Sequence, residues 1–110
     1  MHELGITQSV VDAVTARTGS APVASVRLRV GRLAGVVPDA MRFCFELVTA
    51  GTPLEGAELE FDQPEGRGRC RTCGADFALV DLILLCDCGS ADVEVLTGRE
   101  LAVASVVMAG

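Results

Sequence analysis

The chain has no tryptophan, no tyrosine and no lysine, a single histidine and only four phenylalanines in 110 residues. Its net charge is −6. It therefore lacks both the aromatic platform and the phosphate-neutralising patch of a nucleic-acid binder. It also has no long apolar run. The longest, Leu101 to Gly110, falls far short of the ~20 residues that a membrane-crossing helix needs. Glu3 and Asp12 precede the first basic residue, Arg17, which is the wrong order for a secretory signal. A cytoplasmic protein without membrane contact is expected. Nor is there a Ser/His/Asp set, a phosphate loop or a carboxylate pair, so the reading is not an enzyme. Hydrophobic residues make up 50% of the chain, too many for disorder. The length suits one domain, or a core with a small satellite.

Local patterns divide the chain. Ile6, Val10 and Val14, widened by Val11, recur at helical spacing, and Gly19 suits the left-handed residue that ends a helix. Val26, Leu28 and Val30 alternate with Arg27 and Arg29, the period of a half-buried strand. After a loop from Gly31 to Gly35, Pro38 and Asp39 suit a helix start. Met41, Cys44, Phe45 and Val48 continue that helix to about Ala50, before Gly51. Cys44 lies on the apolar stripe and reads as a small buried hydrophobe. Ala57, Leu59 and Phe61 alternate with Glu58, Glu60 and Asp62 as a second strand. Pro64, Gly66 and Gly68 mark a boundary, and Leu101 to Met108 reads as a third strand, apolar on both faces. The expected fold is α+β: a small sheet of about three strands with two helices, plus an inserted zinc-ribbon-like satellite. The core domain is residues 1–64 and 98–110, and the satellite is 65–97. The strands flanking the insert could pair as a long hairpin.

The satellite is defined by cysteines. Cys70 and Cys73 are followed, after twelve residues, by Cys86 and Cys88. Two pairs around a hairpin-sized segment match a tetrahedral four-thiolate zinc site. Gly74 and Gly89 follow the pairs, where a knuckle favours positive φ. A segment this small usually needs a staple, and zinc would supply it. A closed four-thiolate site leaves no position for catalysis. The second pair is Cys-x-Cys, so its chelate ring is tighter, with one amide-to-sulfur bond fewer. Arg67, Arg69 and Arg71 either offset the thiolate charge or form a solvated edge.

His2 stands second in the chain. The amine of Met1 with the amide and imidazole of His2 can close adjacent chelate rings, and three nitrogens in a plane suit Ni(II) or Cu(II). A bulky second residue should leave the initiator Met in place. Glu3 adds a carboxylate and another amide.

Several of these features coincide in one family. Met1-His2-Glu3-Leu4, the segment Phe43 to Val48, the insert ending Cys88-Gly89-Ser90, and Gly98-Arg99-Glu100-Leu101 together resemble the HypA/HybF hydrogenase nickel-incorporation proteins, over essentially the whole chain. The resemblance implies a metallochaperone that delivers Ni(II) to the large subunit of [NiFe]-hydrogenase and works with a HypB-type nickel GTPase. Some members also serve urease maturation. It implies nickel ligands at Met1, His2 and Glu3, structural Zn(II) at Cys70, Cys73, Cys86 and Cys88, and a monomer or weak homodimer. The family's second pair is normally Cys-x-x-Cys. Some members carry a histidine beside each pair; here any metal- or pH-linked response must use thiolates alone. Some members use an acidic residue after the first strand; Asp39 is the only nearby candidate here, and its first role is at the helix start. A zinc-ribbon interaction module without nickel delivery is the alternative; a thiol–disulfide redox protein would lose its function once zinc held all four thiols.

Overall fold

The computed structural model describes residues 2–110. The elements run α1 (His2–Thr18), β1 (Val23–Val30), α2 (Pro38–Thr49), β2 (Glu58–Asp62), β3 (Gly66–Cys70), β4 (Asp76–Leu79), β5 (Val93–Thr97) and β6 (Leu101–Met108). They form two three-stranded sheets, ordered β2-β1-β6 and β4-β3-β5. The α+β class, with two helices and a small cysteine-bearing unit, is therefore as the patterns indicated. One expectation is corrected: β2 and β6 do not pair as a hairpin, because β1 lies between them. β1 takes the centre: it has no proline or glycine to interrupt its ladder on either edge, and Val26, Leu28 and Val30 are buried on one face.

The chain divides into two compact units. The first comprises the chain to Leu28, Val36–Phe61 and Ala102–Gly110; the second comprises Arg29–Gly35 and Asp62–Leu101. In the first unit, α1 buries Thr7, Val10, Val11 and Val14, and α2 buries Met41, Phe45 and Thr49. Val26, Leu28 and Leu54 are fully buried with them. Each such aliphatic contributes roughly 1.5–3 kcal/mol, so this unit has a core of its own. The helix ends follow the sequence logic. Gly19 (φ 62°) stops α1 and Gly51 (φ 77°) follows α2, while Pro38 occupies the first turn of α2 with Asp39 beside it. Two buried threonines satisfy their hydroxyls within their own helices: Thr7 donates to the Glu3 carbonyl at 2.5 Å and Thr49 to the Phe45 carbonyl at 2.6 Å. Cys44 is half-buried. Leu101–Met108 is a strand, but most of it is exposed on both faces.

In the second unit, β3 pairs antiparallel with β4 (Gly66 opposite Leu79, Arg69 opposite Asp76) and with β5 (Cys70 opposite Val93). The sequence reading took Gly66 and Gly68 as a boundary. The structure makes them the inward face of β3, because larger side chains have no room there: a Cβ on Gly68 would lie 2.8 Å from Leu79 Cδ1. The loop at Gly31 is fastened in the same unit. The Gly31 amide donates to the Glu100 carbonyl (2.8 Å), Arg32 to Pro64 (3.1 Å) and Leu33 to Gly98 (2.8 Å). A Cβ at Gly31 would sit 2.2 Å from the Gly98 oxygen. Gly31→Ala must push main chain apart and break two of these bonds. It should cost more than about 2 kcal/mol, read as a lower urea midpoint, whereas Gly35→Ala, with open space but a φ of 74°, should cost only the smaller conformational strain.

Candidate metal centre

Cys70 is the last residue of β3 and buried; Cys73 follows in a turn and is exposed. The Gly74 amide closes that turn on the Cys70 carbonyl (2.8 Å), and the Cys70 amide bonds Ala75 (2.9 Å). The second pair lies in the connection from β4 to β5. There the Gly89 amide donates to the Cys86 carbonyl and the Cys86 amide to Ser90, both at 2.9 Å. Gly74 (φ 80°) and Gly89 (φ 93°) take the positive φ that both turns require. The Thr72 and Ser90 hydroxyls meet at 2.8 Å, and the Arg71 amide bonds the Asp92 carbonyl at 2.9 Å, so each turn holds the other. These braces were missed in the sequence. The only signal was Ser90 directly after Cys88-Gly89.

The turns bring all four sulfurs within 4.8 Å of one another. Cys70 Sγ is 3.7 Å from Cys88 Sγ and Cys73 Sγ is 3.6 Å from Cys86 Sγ. A zinc ion with Zn–S bonds of about 2.3 Å spaces tetrahedral sulfurs about 3.8 Å apart, so the donor set fits zinc. All five cysteines are free thiols. The Cys-x-Cys pair reaches the cluster despite its missing residue.

The electrostatics of the cluster follow from crowding. The amide of Cys73, 3.5 Å from the sulfur, holds Cys70 down to about 6 against the cost of desolvation, helped by the Thr72 amide. The amide of Cys88 also favours the Cys86 thiolate, but desolvation and the neighbouring sulfurs push it up to about 12. The Ser90 amide and Cys86 favour the Cys88 thiolate, but desolvation and the sulfurs of Cys70 and Cys73 outweigh them and hold this thiol up. Cys70 ionises easily while Cys86 and Cys88 resist, which is the situation a dication relieves. Two of the three nearby arginines are engaged by carboxylates instead. Arg69 is hydrogen-bonded to Asp76 at 2.8 Å, holding its carboxyl below the usual range, and Arg71 is bonded to Asp92 at 2.9 Å. Around the sulfurs, Cys70, Cys86 and Val93 form a small core with Phe77 and Leu84 against it.

In the first unit, His2 and Glu3 occupy the first turn of α1; Met1 lies outside the described residues. The His2 imidazole is largely exposed and its Nε2 lies 3.4 Å from Glu3 Oε2. Glu3 is buried, and the Val37 amide donates to its carboxylate at 3.5 Å. Its own main-chain amide above all, and Val37 after it, hold this carboxyl below the usual range against desolvation, so it is ionised at neutral pH. The main-chain N–H groups of a first helical turn have no partner within the helix. An ion that takes the His2 amide nitrogen therefore breaks no helical hydrogen bond. Asp39 stands apart from this arrangement: its side chain is almost fully exposed and is paired with Arg42 at 3.4 Å.

A family model described as "Hydrogenase/urease nickel incorporation, metallochaperone, hypA" matches residues 1–108. The chain belongs to the HypA family. Its relatives include the hydrogenase maturation factor HypA of Nostoc punctiforme, 45% identical over 106 residues, with 96% of this chain and 94% of that protein covered. The HypA of Geotalea uraniireducens is 49% identical over 104 residues, covering 94% of each. The solution structure of the Ni metallochaperone HypA from Helicobacter pylori has the same fold, with a TM-score of 0.63 at 17% identity over 96% of both chains. A HypA-family chain is thus a maturation factor for nickel incorporation and carries a metal-competent cysteine cluster. Among the described residues, no helix is long and apolar enough to cross a membrane.

Proposed function

We propose that this chain is a cytoplasmic, non-enzymatic nickel carrier. It takes Ni(II) through the Met1 amine, the amide and imidazole of His2 and a group of Glu3, while Zn(II) at Cys70, Cys73, Cys86 and Cys88 is structural. The observation that carries the nickel reading is the first turn of α1: the sole histidine projects into solvent with an ionised carboxylate 3.4 Å from its ring. An exposed imidazole can be reached by an acceptor protein, and a buried, anchored Glu3 keeps the turn from drifting. The zinc reading rests on four sulfurs at tetrahedral spacing. A zinc-only interaction module would have no use for histidine at position 2.

The acceptors in this reading are a HypB-type nickel GTPase and the [NiFe]-hydrogenase large subunit. Transfer needs the two metal sites to approach, so the GTPase should dock on the first unit near α1. Leu4, Val37, Phe43 and Leu47 are exposed apolar residues there. Chain loaded with radioactive nickel and mixed with the cognate GTPase should lose its label to it, and Phe43→Asp with Leu47→Asp should slow transfer about tenfold or more. Retention of the label in the presence of both the GTPase and the large subunit would overturn the carrier reading.

A further inference from the structure

The two edges of the first sheet are built differently. β2 is guarded by Glu58, Glu60 and Asp62. These acids share the solvent face, where Glu60 and Asp62 pair with Arg27 and Arg29 of β1, and a run of charge along an edge strand discourages further pairing. β6 has no such guard: its eight residues, Leu101 to Met108, contain no charge, no proline and no glycine. It pairs with β1 on one side. On the other, no loop, helix or strand among the described residues donates to or accepts from it.

That open edge also borders a groove of about 420 Å³. Val103, Ala104, Ser105 and Val106 line it on one side, with Ala13, Val14, Arg17 and Thr18 of α1 on the other. Consecutive residues of a strand point to opposite faces of a sheet. Four in a row can line one groove only if it runs along the strand's edge, past the backbone itself. The groove is mostly apolar, with one charge, Arg17. No ion pair or side-chain hydrogen bond is made by Arg17 among the described residues, whereas the nearest acid on α1, Asp12, accepts from Gln8 at 3.0 Å.

We infer that β6 and α1 form a strand-addition site for an extended segment of a partner polypeptide, one that presents small apolar side chains at alternate positions and a carboxylate to Arg17. Main-chain hydrogen bonds to β6 supply the affinity, and the groove selects the side chains that alternate toward α1. A second copy of this chain is a poorer occupant. Its β6 brings no side-chain carboxylate to Arg17, and the two chains repel at −6 each. The inference is independent of nickel, and its test contains none.

The test uses a displayed library of random octapeptides panned on the full zinc-loaded chain, with the enriched peptides synthesised and titrated by amide NMR. Enriched peptides should combine alternating apolar residues with an acid, and should shift the amides of Val103 to Val106. N-methylation of the peptide backbone should weaken binding about tenfold or more at every second residue and little in between, the signature of a strand bonded along one edge. Arg17→Glu should weaken binding about fivefold or more, and replacing the peptide's acid with a base should restore it. The inference is overturned by no enrichment, by shifts confined elsewhere, or by an N-methyl pattern without period two. It is also overturned if β6 amides respond to protein concentration alone, which would make a second copy the occupant.

Discussion

Cys70→Ser or Cys86→Ser should unfold the second unit and leave the first folded. The two units differ in what holds them. The first buries Val26, Leu28, Met41 and Leu54 completely. In the second, the buried residues around the β4-β3-β5 sheet include two of the cysteines, Cys70 and Cys86, with Leu79 and Val93. Structural zinc sites supply apparent binding free energies of about 10–16 kcal/mol near neutral pH, more than so small a core can replace. Loss of one thiolate, or removal of the metal by a chelator, should therefore abolish amide-exchange protection along Arg67 to Cys70 and Val93 to Thr97. Protection in α1 and α2 should persist. Cys44→Ser, outside the cluster, should leave the metal content unchanged.

The same centre carries a proton prediction. In the metal-free chain at pH 7.5, Cys86 and Cys88 still hold their protons because both are raised, Cys86 to about 12. Cys70, at about 6, has already lost its own. Zinc uptake should thus release at least two protons per ion, measurable with an indicator in weak buffer. Acid competes with the metal at every sulfur, so zinc retention should fall with pH and drop fastest below about 6, where Cys70 is protonated too. Release of no protons would show that the thiols are not the ligands.

His2→Ala should abolish nickel binding outright, since no other imidazole exists in the chain. Zinc content and fold should be untouched, because the His2 side chain is largely exposed and its described contact is to Glu3. Amine, imidazole and amide nitrogens must all be free of protons to ligate. Nickel affinity should therefore fall as the pH is lowered, because protons compete with the metal at each nitrogen. Acetylation of the Met1 amine should weaken nickel binding strongly with every side chain in place. A glycine inserted before Met1 moves histidine to third place, where a four-nitrogen chelate is still available; nickel should be retained with an altered spectrum and a changed transfer rate. Isothermal titration and the d–d absorption spectrum report both effects. Undiminished uptake by His2→Ala would place nickel elsewhere, most directly on the cysteines. Glu3→Gln tests the other ligand. It removes the charge while keeping a group that can accept from the Val37 amide, so a loss of nickel affinity without loss of stability would separate coordination from anchoring.

The sequence alone determined what depends on near neighbours. The strand period of Val26, Leu28 and Val30, the proline and glycine that bound α2, and the knuckle glycines after each cysteine pair are all set by local backbone sterics and by which side chains must avoid water. The two cysteine pairs were legible because chelation constrains spacing, and the whole-chain family resemblance was legible in Met1-His2-Glu3 and Cys88-Gly89-Ser90. Tertiary structure decided everything that depends on approach between distant segments. It placed β1 between β2 and β6, turned Gly66 and Gly68 from a boundary into the inward face of β3, and fastened the Gly31 loop to Pro64, Gly98 and Glu100. It also diverted Arg69 and Arg71 to Asp76 and Asp92, and left the apolar β6 at an open edge, although its composition alone would have put it inside. None of these leaves a local mark, because each hydrogen bond or close contact joins different elements and is set by packing geometry that no short pattern encodes.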